Sequence, residues 1–306
     1  MRYGPFYFII VYAGIVVALL IYMRRRVVAK LYQPIRHHTK RVSCPTRDLY
    51  IGTRTGRWDQ YKQPNEENIH VWFFDDYKDR PLLLYFHGNS LNISYRDYMI
   101  RIAKILRVNL ILVDYRGYGK SDGRPSSKGL LRDANVVTKF ALAHRKPEEI
   151  IVWGESLGGS PATYVASKTP NLRGLILFST FASFHSILDR PESLTYQLLY
   201  SVVREITADI EDATDNESML RKCTCPVLIF HSPDDKLIDF SNAERLFKAA
   251  GHPNKKLIRI GGDHDSPEVT LEHIDEMGQF IGVDVLPEKR NEIRSILNRL
   301  DELRTV

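Results

Sequence analysis

The 306-residue chain is poor in cysteine, with three in all: Cys44, Cys223 and Cys225. An odd and sparse set builds no disulfide framework, and no second cysteine or histidine group follows Cys223-Thr224-Cys225 at zinc-site spacing. Acidic residues are missing from one region altogether: residues 1–47 hold nine Lys or Arg and no Asp or Glu. The remainder carries 34 basic against 37 acidic residues, a net −3, although the whole chain is +6. A nucleic-acid-binding domain concentrates its basic residues on the folded body, so this distribution argues against that class. No repeat or low-complexity stretch is visible. No GxxxxGK[ST], HExxH or EF-hand pattern is present, so no cofactor or metal is implied. Gly117-Tyr118-Gly119-Lys120-Ser121-Asp122-Gly123 has one residue too many for a dinucleotide fingerprint, and no helix opens at it. What remains is an ordinary globular mixture, 43% hydrophobic and 26% charged, long enough to bury a full core.

One long apolar run is present. Tyr3 to Met23 contains no charged residue, and a helix of that length reaches roughly the 30 Å of a bilayer core. Tyr3, Tyr7 and Tyr22 lie near its ends, where amphipathic rings favour the interface. The run exceeds a signal-peptide h-region, and Arg24-Arg25-Arg26 follows it in place of a small-residue cleavage site. The sequence thus predicts one transmembrane helix (about 3–23) and a basic linker to residue 47. Eight Lys or Arg between Arg24 and Arg47 predict a body on the cytosolic side, against anionic headgroups. Two sequons, Asn92-Ile93-Ser94 and Asn216-Glu217-Ser218, point the other way if they carry glycans.

From residue 48 to 282 short β-branched runs alternate with helical patterns. Strands are expected near Leu49–Thr53, Ile69–Phe74, Leu82–Phe86, Asn109–Val113, Ile150–Gly154, Leu175–Phe178, Val227–Phe230 and Leu257–Ile260. Helices are expected over Tyr95–Leu106, Leu130–Ala143, Gly158–Lys168, Ser241–Ala250 and Glu268–Ile281. Uninterrupted apolar strands such as LLLYF and VLIF suit a parallel sheet covered on both faces, so one α/β domain of about eight mostly parallel strands is expected. About 45 residues separate the strands at 175–178 and 227–230, which predicts an inserted cap over about 180–225. Phe181, Phe184, Ile187, Leu188, Val202 and Val203 make it apolar, as the lining of an acyl pocket or as packing. After Pro287, Ile293, Ile296, Leu297, Leu300 and Leu303 recur at helical spacing, predicting an amphipathic C-terminal helix in 283–306 that docks on the domain or on a partner or membrane.

Gly154-Glu155-Ser156-Leu157-Gly158 follows a strand and opens a helix, the context that G-x-S-x-G requires to expose a serine on a sharp turn. A nucleophilic serine needs a base and an orienting acid, arriving in chain order after the last two core strands. PVLIF is followed by His231-Ser232-Pro233-Asp234-Asp235, and KKLIRI by Gly261-Gly262-Asp263-His264. Ser156 and His264 are therefore candidate nucleophile and base, with the acid among Asp234, Asp235 and Asp239. Oxyanion donors are expected from the amide of Leu157 and from Asn89 in His87-Gly88-Asn89-Ser90 after LLLYF.

FHGNS, DYRGYGKSDG, WGESLGGS, HSPDDKLID and GGDHDS together resemble α/β-hydrolase-fold serine hydrolases, and more narrowly the Bem46-like group, whose members often carry one N-terminal membrane segment. The resemblance covers about residues 48–282. It implies Ser156, Asp235 and His264 as a triad, although His231-Ser232 stands where the family has H-G. It also implies that Asp114 and Arg116 are structural, pairing to hold the loop beside the site. The expected activity is hydrolysis of an ester or thioester of an acyl group on a lipid or an acylated protein. A peptidase and a non-catalytic binding protein on the same fold are the alternatives.

Overall fold

The computed structural model describes residues 4–38, 47–188, 194–283, 285 and 290–297. Nine strands form one sheet: β1 (Arg47–Gly52), β2 (Trp58–Asp59), β3 (Asn68–Phe74), β4 (Leu82–Phe86), β5 (Asn109–Val113), β6 (Ile150–Glu155), β7 (Gly174–Phe178), β8 (Val227–His231) and β9 (Lys255–Arg259). Their spatial order is β9-β8-β7-β6-β4-β5-β3-β1-β2. From β5 to β9 the pairings are parallel, whereas β3, β1 and β2 join antiparallel at one edge. The eight strands expected from sequence are all present. The ninth, β2, is two residues long and exposed, too short for a periodicity to register.

The apolar runs divide by the two-residue period of a strand. Leu82, Leu84 and Phe86 enter one core with Val152, Leu175, Leu177, Val227 and Ile229. Leu83 and Tyr85 enter the other with Trp153, Ile176, Phe178, Leu228 and Phe230. Helices α3 (Ser127–His144), α4 (Gly159–Lys168) and α9 (Ser241–Ala249) cover the first face, and α2 (Asp97–Leu106) and α10 (Leu271–Ile281) the second. Burying each Leu, Ile or Val side chain contributes about 1.5–3 kcal/mol. This double covering holds the carboxyl ends of the parallel strands β4 to β9 at one rim, where α/β sites lie.

Between β7 and β8 the chain forms four helices, α5 (Phe184–Leu188), α6 (Leu194–Ile206), α7 (Ala208–Thr214) and α8 (Asn216–Leu220). The helix α11 (Arg290–Leu297) falls within the expected C-terminal amphipathic segment and lies against α2 and α10. Ahead of the sheet, α1 spans Gly4–Leu31. The expected transmembrane helix is not met as such: among the described residues no helix is long and apolar enough to cross a membrane. Arg24, Arg25 and Arg26 interrupt the apolar character of α1 before its C-terminal end. From Ile9 to Tyr22 the helix is nevertheless largely exposed and apolar, with Ile10 at 69% and Tyr12 at 71% of full exposure.

Asp114 and Arg116 do not pair with each other. Arg116 bonds Asp133 on α3, with Nη2 2.6 Å from Oδ1, and approaches Glu67 at 3.5 Å. Asp114 is fully buried and accepts from His38 Nε2 and His70 Nδ1, each at 2.8 Å, and from the Ile93 amide at 3.0 Å. His70 reaches Asp48 with its other nitrogen at 2.7 Å. The two acids hold β1, β3 and the turn after β5 through one imidazole. A buried carboxylate must be hydrogen-bonded or paired; His38, His70 and the Ile93 amide do this for Asp114, while the Arg116 guanidinium is taken up by the equally buried Asp133.

Burial disfavours a charged His70 ring, but the bonds to Asp114 and Asp48 outweigh it and raise its pKa above the usual value. Asp48 and Asp114 are correspondingly depressed. The contribution of His70 is complete below the unfolded value of about 6.5 and fades as pH rises through the raised pKa. The contribution of the carboxylates is lost as pH falls through their depressed values. His70→Gln is therefore expected to cost about 3–5 kcal/mol near pH 6. In urea melts of both proteins at a series of pH values, the gap should narrow above pH ~6.5, and a gap independent of pH would contradict this account.

Candidate active site

The turn from β6 into α4 is set by its glycines. A Cβ on Gly158 would lie 2.0 Å from the Phe86 carbonyl oxygen, and one on Gly154 would lie 2.4 Å from that of Gly158. With both positions bare, the helix packs close behind the strand and Ser156 is forced to φ +51°, a left-handed conformation that costs a non-glycine residue of order 1–3 kcal/mol. The Ser156 carbonyl accepts from Thr180 Oγ1 at 2.6 Å, which ties the turn to the chain leaving β7.

The structure brings Ser156, His264 and Asp235 together. Ser156 Oγ is 3.0 Å from His264 Nε2, and His264 Nδ1 is 2.7 Å from Asp235 Oδ2. With Nδ1–H donating to the carboxylate, Nε2 is left as the acceptor for the serine hydroxyl. Asp235 Oδ1 accepts the amides of Leu237 at 2.9 Å and Ile238 at 2.7 Å, so both carboxylate oxygens are engaged. Asp234 and Asp239 are exposed, whereas Asp235 is buried. His264 occupies the two-residue tip of a hairpin in which Gly261–Asp263 pairs antiparallel with Ser266–Glu268. Gly262 takes φ +80° there, and a Cβ would meet the Ser266 carbonyl at 2.2 Å.

Sequence reasoning noted Ser232 only as a departure from H-G and gave Asp263 no role, yet both hold these loops. Asp263 accepts the Lys236 amide at 2.9 Å and the His264 amide at 2.7 Å, bonds that hold its carboxyl down to about 2. It thereby joins the acid loop to the histidine hairpin. Ser232, where the family pattern has glycine, donates its hydroxyl to the Gly262 carbonyl and accepts the Asp234 amide at 3.1 Å. The departure from H-G thus adds a second tie between the same loops. His231 donates Nε2–H to the Ile238 carbonyl at 2.8 Å, and burial lowers its pKa. A neutral ring there does not compete with His264 for the charge of Asp235, 3.5 Å away.

Leu157 is buried at the start of the turn. In the loop after β4, burial lowers the His87 pKa to about 3, and its Nδ1–H donates to the Gly88 carbonyl at 2.7 Å. The C=O and N–H of a trans peptide point in opposite directions, so this bond turns the Asn89 amide away from the His87 ring. The next carbonyl, that of Asn89, accepts from Tyr118 Oη at 2.7 Å and from the Gln33 amide at 3.0 Å. Asn89 and Ser156 line the same two cavities.

Those cavities differ in chemistry. One, of about 200 Å³, is apolar and runs from Ser156 past Phe181, Phe184, Ile187 and Leu188 of the cap segment. The other, of about 190 Å³, is polar and lies between Ser156, His264, Arg96 and Glu155. Glu155 is held by Tyr98 Oη at 2.8 Å and by a short bond from Tyr85 Oη. One group among the described residues has metal-site geometry, His38, His70 and Asp114. Its donor atoms are already joined by hydrogen bonds that tie His38 and β3 to the turn after β5.

A profile of the alpha/beta hydrolase fold matches residues 81–202. The uncharacterized protein YfhR of Salmonella typhi is 30% identical over 219 residues, 64% of this chain and 70% of its own length. Protein bem46 of Schizosaccharomyces pombe is 30% identical over 197 residues, 63% of this chain and 62% of its own. Among solved structures, the Pyrococcus furiosus esterase Pf2001 superposes with a TM-score of 0.58 at 17% identity, covering 88% of this chain and 98% of that one. With the profile lying on the strand-turn-helix core and 30% identity sustained across 70% of YfhR, this chain belongs to the α/β-hydrolase fold family.

Proposed function

We propose that the protein is a membrane-attached serine hydrolase that cleaves an ester or thioester of an acyl group. The observation that carries this reading is the unbroken chain from Ser156 Oγ through His264 to the buried Asp235, with contacts of 3.0 and 2.7 Å. His264 Nε2 takes the serine proton as Oγ attacks the acyl carbonyl, while Asp235 holds the ring and stabilises the imidazolium. The amides of Leu157 and Asn89 receive the oxyanion, each donor worth about 2.7–4 kcal/mol at the transition state. Collapse of the tetrahedral intermediate expels the alcohol or thiol, which takes the proton from His264. Water activated by the same ring then releases the acid. A nucleophile between an apolar and a polar cavity suits an amphiphilic substrate, the acyl chain on one side and the leaving group on the other.

Membrane attachment through α1 is supported by the charge-free run from Tyr3 to Met23 and the all-basic stretch that follows. The exposed apolar surface from Ile9 to Tyr22 is of the kind that marks an interaction site. The sequons do not oppose a cytosolic body. Asn92 and Asn216 are both fully buried, with side-chain amides bonded to the Ile35 and His37 carbonyls and to the Phe181 carbonyl, so neither amide is open to a glycan.

Wild-type protein should be labelled by a fluorophosphonate probe and should hydrolyse acyl esters or acyl-thioesters, and Ser156→Ala should lose both. Asp235→Asn should lower kcat by about 10⁴, and Asp234→Asn by less than about twofold, as surface changes do. Equal labelling of Ser156→Ala, or loss of turnover in Asp234→Asn with Asp235→Asn active, would overturn the assignment. In a second test, full-length protein should stay with membranes through alkaline carbonate extraction. The double variant Ile15→Asp, Leu19→Asp should pass to the supernatant, each charge costing about 2.5–3.5 kcal/mol in a bilayer. A wild-type chain found in the supernatant would refute attachment.

A further inference from the structure

The C-terminal end of α1 is built into the site. Val27 and Leu31, four residues apart and so on one helix face, line the apolar cavity opposite Phe184 and Ile187, within the same enclosure as Ser156. Leu31 and Val28 also pack on the core. This end of the helix is fixed at three places. Arg24 makes a two-pronged ion pair with Asp209 of α7, at 2.7 and 2.8 Å. Tyr32 is buried, with Oη 2.6 Å from Ser127 Oγ at the start of α3. Gln33–Pro34 pairs in parallel with Ser90–Leu91, the residues that follow Asn89, and Asn89 Nδ2 reaches back to the Lys30 carbonyl at 3.4 Å. Upstream of Arg24, α1 is largely exposed; downstream, it is a wall of the cavity.

We propose that the last two turns of α1 form the acyl-chain subsite, with Val27 and Leu31 as specificity-determining residues and the chain entering along the helix from the membrane. This rests on the hydrolase reading above. At about 200 Å³ the cavity is below the ~300–1,000 Å³ of clefts that enclose a whole ligand. It therefore takes an aliphatic tail and leaves the polar remainder of the substrate in the second cavity beside Arg96 and Glu155. Because the Gln33 amide bonds the Asn89 carbonyl, the helix that receives the tail is also in register with the loop expected to hold the oxyanion. A polar side chain at Val27 or Leu31 removes apolar contact from the tail, and a larger one shortens the space available to it.

The test uses full-length protein in detergent micelles and nitrophenyl esters of acetate, octanoate and palmitate. Fluorophosphonate labelling of Ser156 serves as a separate readout of the folded triad. Leu31→Trp is expected to lower the octanoate-to-acetate ratio of kcat/KM tenfold or more while the protein still labels. Leu31→Ala should move the ratio toward palmitate, and Val27→Asp should lower it as Leu31→Trp does. If Leu31→Trp fails to label, Leu31→Ala and Val27→Asp carry the test in its place. Labelled variants whose chain-length ratios stay within twofold of wild type, or fall equally for all three esters, would overturn the proposal. If wild type neither labels nor turns over any ester, it is the hydrolase reading that fails, and the two failures are told apart by the labelling of wild type.

Discussion

A serine held at φ +51° between a strand and a helix is the constraint on which the rest of the site depends. The conformation is unfavourable in isolation and persists because the surroundings leave the chain no alternative. Gly154 and Gly158 let the helix close onto the strand until the Phe86 carbonyl leaves no room for a Cβ at 158, and Thr180 bonds the Ser156 carbonyl from behind. The same close approach brings the loop after β4 against the turn, so the elbow and the loop containing Asn89 are positioned by one packing event.

The partners of the serine come from two other strand ends, and such loops would drift independently without cross-links. Asp263 and Ser232 supply them, each joining the segment after β8 to the hairpin after β9. Asp235 accepts two amides of its own loop as well as the imidazole. The carboxylate is thereby fixed in orientation by its own loop, the kind of preorganisation that electrostatic catalysis requires. Burial keeps the two neighbouring imidazoles, His87 and His231, from gaining charge readily, and both serve as hydrogen-bond donors to loop carbonyls.

The N-terminal helix joins two environments. Its upstream turns present apolar side chains outward, while its downstream end is held by Arg24–Asp209, by Tyr32–Ser127 and by a short ladder to Ser90–Leu91. The exposed ion pair alone contributes little. The buried tyrosine and the ladder give the helix end a fixed register, and a helix with an exposed apolar upstream half thereby becomes contiguous with the rim that carries Ser156.

The sheet was legible in the sequence because central strands covered on both faces, such as LLLYF, NLILV, GLILF and VLIF, are nearly unbroken apolar runs between clear turn signals. Ser156, Asp235 and His264 could be named because a strand-turn-helix pentapeptide and two strand ends are local patterns that survive in one dimension. The contacts that set their geometry were not legible. Nothing near Asp114 indicates that His38 and His70 will bond it; Arg116 stands closer in sequence and bonds Asp133 instead. Ser232, Asp263 and Thr180 look like ordinary loop residues until separate strand ends are placed side by side. Asp234 and Asp235 are adjacent, and burial against His264 is what distinguishes them. The sequence by itself determined which segments are strands and which residue types reach their ends. Tertiary structure alone decided which of those residues meet, because contact between loops tens of residues apart is created by packing helices on both faces of a shared sheet.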